Sequence, residues 1–411
     1  MYVKNLLVLL SIFLCFGCEK QDKPNPLGDI LEAGVEGGRI PGVIAIASSS
    51  DREIFQGAAG TRDLSDGTPM TVDTIVRIAS LTKAITSVAV MQLIESGKIG
   101  LDDPASEYLP RLADIEVLEG FNAEGEPMRR PPKSPVTIRQ LLTHTSGYVY
   151  EIWNPSAATN VALGHVDSIT AGGDGFTFAP LAFDPGTRWE YGVGTDVLGI
   201  VIAEVSGMTL DEYFRKRIFD PLGMPDTFFE VPPAKANRLA TVHSRASDGE
   251  LEPVQLSLRG GGFLSGGGGL FSTAGDYSRF LRTLLNGGEL DGVRILSSKT
   301  VALMTQNQIG ELEVPDVIRS ANPSLSNDVA FSPGETKHFG LGFLISTQEG
   351  PTGRSAGSAS WAGLYNAYYW LDLEKDVCGV LIAQVLPFYD PEVVALMIDF
   401  ESAIYAEIAK H

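Results

Sequence analysis

Strand-like segments gather at the two ends of this chain and helical segments fill its middle, and that distribution limits the fold more than any other sequence feature. Near the start, Ile30 to Gly37 reads as a short helix. Gly42 to Ser48 and Glu53 to Gly60 then read as strands joined through the polar Ser49-Ser50-Asp51 turn. At the other end, Leu341 to Ser346, Leu364 to Asp372 and Val377 to Val385 are β-rich, and Glu392 to Ile408 has the spacing of an amphipathic helix. Between them come helical patterns such as Thr137 to Leu142 and Asp196 to Val205. Polar or Gly/Pro-rich loops at Glu119 to Pro135 and Ala171 to Pro185 separate these patterns. The expectation is an α+β fold: residues 26–79 and 260–411 build one antiparallel sheet carrying the terminal helices, and an all-α insertion, 80–259, interrupts it.

The first residues are not part of that fold. Lys4 supplies a thin basic region, and Leu6 to Phe16 is an apolar run too short to span a bilayer. The run ends at Leu14-Cys15-Phe16-Gly17-Cys18 and gives way to a polar stretch, an arrangement that resembles a bacterial lipoprotein signal over 1–18 with Cys18 as the acylated residue. Residues 19–25 would be the tether, and the protein would be exported, in the periplasm or held on the outer membrane by lipid. Cys378 then remains as a small buried hydrophobe, and no disulfide framework is possible. A net charge of −20 and a pI near 4.6 exclude an electrostatic grip on nucleic acid.

Ser80-Leu81-Thr82-Lys83 carries the first chemical signal. From Ser80 to about Ser96, apolar residues recur at helical spacing and Gly97 closes the run, so Ser80 and Lys83 share one face at the start of an amphipathic helix. A serine there feels the positive end of the helix dipole, and a buried Lys83 could shed its proton and act as base. Farther on, Gly260 to Gly269 is almost all glycine, which favours a backbone-dense joint, and Thr273-Ala274-Gly275-Asp276 opens a helix with a capping-box pattern.

The segments Arg77 to Lys83, Thr137 to Gly147 and Gly268 to Asp276 together resemble the β-lactamase-like serine hydrolases: class C β-lactamases, D-alanyl-D-alanine carboxypeptidases and, most closely, family VIII carboxylesterases. The resemblance implies Ser80 as nucleophile and Lys83 as its partner. The family's Tyr-x-Asn motif falls on Tyr191-Gly192-Val193, which keeps the tyrosine and replaces the asparagine. Tyr191 is thereby implied as the proton relay. A third motif, Lys-Thr-Gly in penicillin-recognising members, falls on Trp361-Ala362-Gly363 and is expected on an edge strand; family VIII esterases have Trp-Gly-Gly there. By the same resemblance Trp361, Gly363 and Leu364 border the substrate, and the backbone N–H groups of Ser80 and Leu364 form the oxyanion hole. His144 belongs to a motif with a structural role.

Gly353-Arg354-Ser355-Ala356-Gly357 satisfies the nucleophile-elbow pattern, but an elbow needs a helix after its serine, and a strand-like run follows Ser355. It reads as a loop. The histidines have no metal-ligand spacing and no dinucleotide or phosphate-loop fingerprint is present, so no cofactor is implied. The expected activity is hydrolysis of small esters through a Ser80 acyl-enzyme. The alternatives are a D-amino-acid peptidase or weak β-lactamase, a transacylase, and a membrane-tethered binder of cell-wall peptides. Val193 and Trp361 disfavour the peptidase and β-lactamase, which would need another cation, such as Arg354, for the substrate carboxylate.

Overall fold

The structure, a computed structural model, describes residues 26–254 and 262–410; Cys18, the signal and the tether lie outside them. Helix α1 (Pro26–Val35) leads into strands β1 (Gly42–Ser48), β2 (Glu53–Asp63) and β3 (Thr68–Pro69). The chain returns to the same sheet only near its end, through β4 (Lys337–Phe339), β5 (Leu344–Ser346), β6 (Ala359–Gly363), β7 (Ala367–Asp372) and β8 (Val377–Ile382). The spatial order is β4-β5-β6-β7-β8-β1-β2-β3, and every neighbouring pair is antiparallel. First and last segments of the fold are joined where β1 meets β8, with Ile44 opposite Ile382 and Ser48 opposite Cys378.

β1 has no polar face because both of its faces are covered. Val43, Ala45 and Ala47 pack toward the terminal helices, whereas Ile44 and Ile46 join the larger core on the opposite face. The terminal layer is α1 with the C-terminal helix Pro391–Ile408, whose Val393, Leu396, Met397, Phe400 and Ile404 repeat at three- and four-residue spacing and are buried. On the opposite face lie the helix Thr82–Glu95, here α2, and Ala274–Leu285, here α5. With them are the short α3 (Ile138–Leu142), α4 (Gly194–Ser206) and much of the segment between Ser80 and the second half of the sheet. Cys378 is buried in β8 as expected. No helix among the described residues is long and apolar enough to cross a membrane.

Three expectations need correction. α2 is not amphipathic: its residues from Thr82 to Met91 are all buried, polar ones included, because the helix runs through the interior instead of along its surface. The stretch read as a loop at Glu119 to Pro135 contains a two-stranded hairpin, Val117–Phe121 with Pro127–Arg130. And Thr273 caps α5 by accepting the Asp276 N–H, but Asp276 does not complete a capping box; its carboxylate accepts from the Asp226 N–H and the Thr227 hydroxyl instead.

Candidate active site

Ser80 sits on a strained turn. The chain arrives along Val76–Arg77, paired with Phe271–Ser272, and turns at Ala79, whose φ of 44° is unusual for a residue with a Cβ. Ala79–Leu81 form a single 3₁₀ turn at the head of α2, so Ser80 precedes the α-helix rather than beginning it. The turn is held from several sides: Ile78 N–H donates to Leu270 O at 3.2 Å and the Tyr277 hydroxyl to Leu81 O at 3.0 Å. Gly363 fixes the distance to the sheet, since a Cβ there would stand 2.5 Å from Ile78 O. Half-buried Ser80 therefore faces the cleft from a clamped backbone.

Lys83, one turn later, is 1% exposed. Its Nζ lies 3.3 Å from Ser80 Oγ, and it donates to the Tyr150 hydroxyl at 2.9 Å and to Gly267 O at 2.6 Å. Tyr191 arrives from the segment before α4. Gly192 allows it, because a Cβ there would strike Tyr148 O at 1.9 Å. Tyr191 Oη is 2.7 Å from Ser80 Oγ, and its ring stands 4.9 Å from Lys83 Nζ. Ser80, Lys83 and Tyr191 are thus brought together from segments far apart in sequence.

Trp361 comes from the sheet. The β5–β6 ladder ends at Leu344 opposite Ser360, so the second half of β6 has no partner strand on the cleft side and is an edge only there. Trp361 Nε1–H points at Tyr191 Oη, 3.4 Å away, and its ring packs against Tyr191, Phe331 and Phe339. Behind Tyr191, His144 is buried with its centroid 4.9 Å from the tyrosine ring, and its Nδ1 accepts the Gly192 N–H at 3.4 Å. Burial foremost, and the charge of Lys83 beside it, hold its pKa well below the ordinary histidine range, so this imidazole is neutral at pH 7.

The cleft over Ser80 is walled by Trp153, Ile318, Phe331, Trp361, Leu364 and Phe388. No charged side chain among the described residues lines it. Val193 is not in that wall; it borders a separate hollow that also holds Asn160 and Phe176 and contains none of Ser80, Lys83 and Tyr191. Arg354 is remote as well. It is paired with Glu401 of the C-terminal helix at 2.5 Å and offers no cation to the cleft.

Sequence reasoning missed Tyr150 and Asp196. Tyr150 follows the Thr137 to Gly147 segment by three residues, and Asp196 reads as an ordinary acid in the first turn of α4. Neither carries a motif of its own. The expected joint at the glycine run is present in its described part: Gly266 O accepts from Thr86 Oγ1, and Gly267 offers its carbonyl to Lys83 and its N–H to Asp196.

Residues 27–402 match the β-lactamase family model. The chain belongs to the β-lactamase family. It is 34% identical over 376 residues to a lovastatin esterase of Penicillium rubens, covering 87% of this chain and 92% of that protein. It is 31% identical over 389 residues to a monacolin J acid methylbutanoyltransferase of Aspergillus terreus, covering 91% and 93%. The solved structure of simvastatin synthase from Aspergillus terreus, a LovD6 mutant, superposes with a TM-score of 0.83 at 31% identity, covering 94% of this chain and 97% of that one. The fold is the β-lactamase/transpeptidase type, and the protein is an enzyme of the β-lactamase-like serine hydrolases, a family with esterase and acyltransferase members.

Proposed function

We propose that this enzyme is a carboxylesterase that acts on small, uncharged esters through a covalent Ser80 acyl-enzyme. The observation that carries the substrate class is the cleft: its walls are apolar, and among the described residues no charged side chain lines it. Ser80 Oγ attacks the acyl carbon and its proton passes to Tyr191 Oη, 2.7 Å away, as Tyr191 delivers its own proton to the departing alkoxide. Water then takes the alcohol's place and the same transfers run in reverse. Backbone N–H groups of Ser80 and Leu364 are assigned to the oxyanion. Trp361, whose Nε1–H lies 3.4 Å from Tyr191 Oη, orients the phenol.

Acyl transfer to an alcohol differs only in the group that resolves the acyl-enzyme, and the likeness to a methylbutanoyltransferase supports it as a second reading. The deciding experiment compares a short-chain p-nitrophenyl ester, nitrocefin and a D-alanyl-D-alanine peptide on one preparation. A buried carboxylate without a partner forfeits about 1–3 kcal/mol, so the ester should lead the other two by about ten- to a hundredfold in kcat/KM. Equal rates would refute the ester assignment. Adding a primary alcohol and assaying for the new ester separates hydrolysis from transfer.

A further inference from the structure

Lys83 and Asp196 are both buried to within 1% of full enclosure, and among the described residues neither makes a direct ion pair. They are joined instead through shared partners. The Tyr150 hydroxyl takes a hydrogen from Lys83 Nζ at 2.9 Å and lies 3.4 Å from Asp196 Oδ2, to which it donates. The Gly267 peptide does the same from another direction, its carbonyl accepting from Lys83 at 2.6 Å and its N–H donating to Asp196 Oδ1 at 3.1 Å. Ser265 Oγ donates to Oδ1 as well, and a Cβ on Gly267 would lie 2.2 Å from Asp196 Oδ2. The glycine run is shaped around this carboxylate.

Asp196 Oδ1 accepts the Gly267 N–H, and a charge carried on so buried a carboxylate needs an opposite one nearby. Lys83 also has three acceptors around Nζ: Gly267 O, Tyr150 Oη and Ser80 Oγ. An ammonium can donate to all three at once. We infer that Asp196 is the counter-ion of Lys83, acting through Tyr150 and the Gly267 peptide to hold the lysine as an ammonium aimed at Ser80. Lys83 then works by charge and position, and the proton leaving Ser80 goes to Tyr191. Asp196 and Tyr150 are positioning residues, and this assignment rests on the Ser80–Lys83 reading above.

The test is a double-mutant cycle on the full chain with Lys83→Met, Asp196→Asn and the pair. Asn keeps an acceptor for Ser265 and Gly267 and removes the charge. Asp196→Asn should lower kcat on a p-nitrophenyl ester about tenfold or more with KM little changed, yet cost less than about twofold in the Lys83→Met background. Each single variant should lower Tm, and the double variant should melt at or above the better single one, because neither charge is then left alone. Additive losses in kcat and Tm would overturn the pairing. Should Asp196→Asn fail to fold, Tyr150→Phe in both backgrounds decides: a loss confined to the Lys83 background supports the coupling, and equal losses refute it. Fluorophosphonate labelling of a residue other than Ser80 would sink the functional reading alone, since the thermal arm needs no catalysis.

Discussion

Ser80 and Ser355 each lie in a serine-nucleophile motif, and each is surrounded by buried charge. Around Ser355, Arg354 pairs with Glu401, the Tyr405 hydroxyl donates to Asp372, and Asp372 also accepts the Ser355 N–H at 2.8 Å. Ser355 is 4% exposed and strand β6 follows it, so no helix presents the serine to solvent. Ser80 is less buried, is preceded by a strained residue, opens into an apolar cleft and has Lys83 and Tyr191 within hydrogen-bonding distance. One polar cluster fastens a loop to the C-terminal helix and the other faces a space a substrate can enter. A motif therefore locates a serine, and backbone geometry with its open side decides whether it reacts.

The contrast is broken most directly by exchanging which serine is removed. Ser80→Ala should abolish both ester hydrolysis and fluorophosphonate labelling, whereas Ser355→Ala should keep most activity; a phosphonate adduct on Ser355 would reverse the assignment. Lys83→Ala and Tyr191→Phe should each reduce kcat by about a hundredfold or more, the scale of lost acid-base and electrostatic help. A Tyr191→Phe enzyme near wild-type rate would remove that residue from the mechanism.

The second cluster should respond in stability instead. Arg354→Met strands the Glu401 carboxylate, which is 4% exposed, at a cost of about 3–5 kcal/mol. Tm should fall by several degrees while kcat/KM for the ester stays within about twofold. A large drop in kcat/KM at unchanged Tm would mean that Arg354 reaches the substrate after all.

The longer strands of the sheet and its terminal helices were legible because their patterns are local: β1 is an unbroken apolar run, and the C-terminal helix repeats its apolar residues at helical spacing. Ser80, Lys83 and Tyr191 were legible through ordered motifs. Tyr150 and Asp196 were not, because a hydrogen bond between segments leaves no period in either one. The Val117 to Arg130 hairpin was missed for a different reason: it is a bulged two-stranded ribbon with mostly half-exposed side chains, so burial imposes no alternation on its sequence. Val193 shows the limit of reasoning from an absent residue, since its side chain borders the hollow beside Asn160 and not the reacting serine.

The smallest effect separates His144 from the rest of the site by pH. His144 is buried among Trp189, Tyr191, Phe339 and Trp361 and is held neutral by burial and by Lys83, so its folded pKa is below the unfolded value of about 6.5. Its contribution to stability is present above that value and is lost as pH falls below it toward the folded pKa, with a slope of up to about 1.4 kcal/mol per pH unit for one proton. Asp276 works in the opposite sense. Burial raises its pKa to about 6, so its contribution is present below the ordinary carboxylate range and is lost as pH rises through 6. The two oppose each other between about pH 4 and 6, which is why the measurement belongs in an Asp276→Asn background. There, Tm should fall from pH 7 to pH 5, and adding His144→Asn should flatten that fall. Asparagine tolerates the φ of 57° at this position and can still accept the Gly192 N–H. An unchanged slope would show that His144 takes up its proton in the folded enzyme and that the wall behind Tyr191 is not closed to charge.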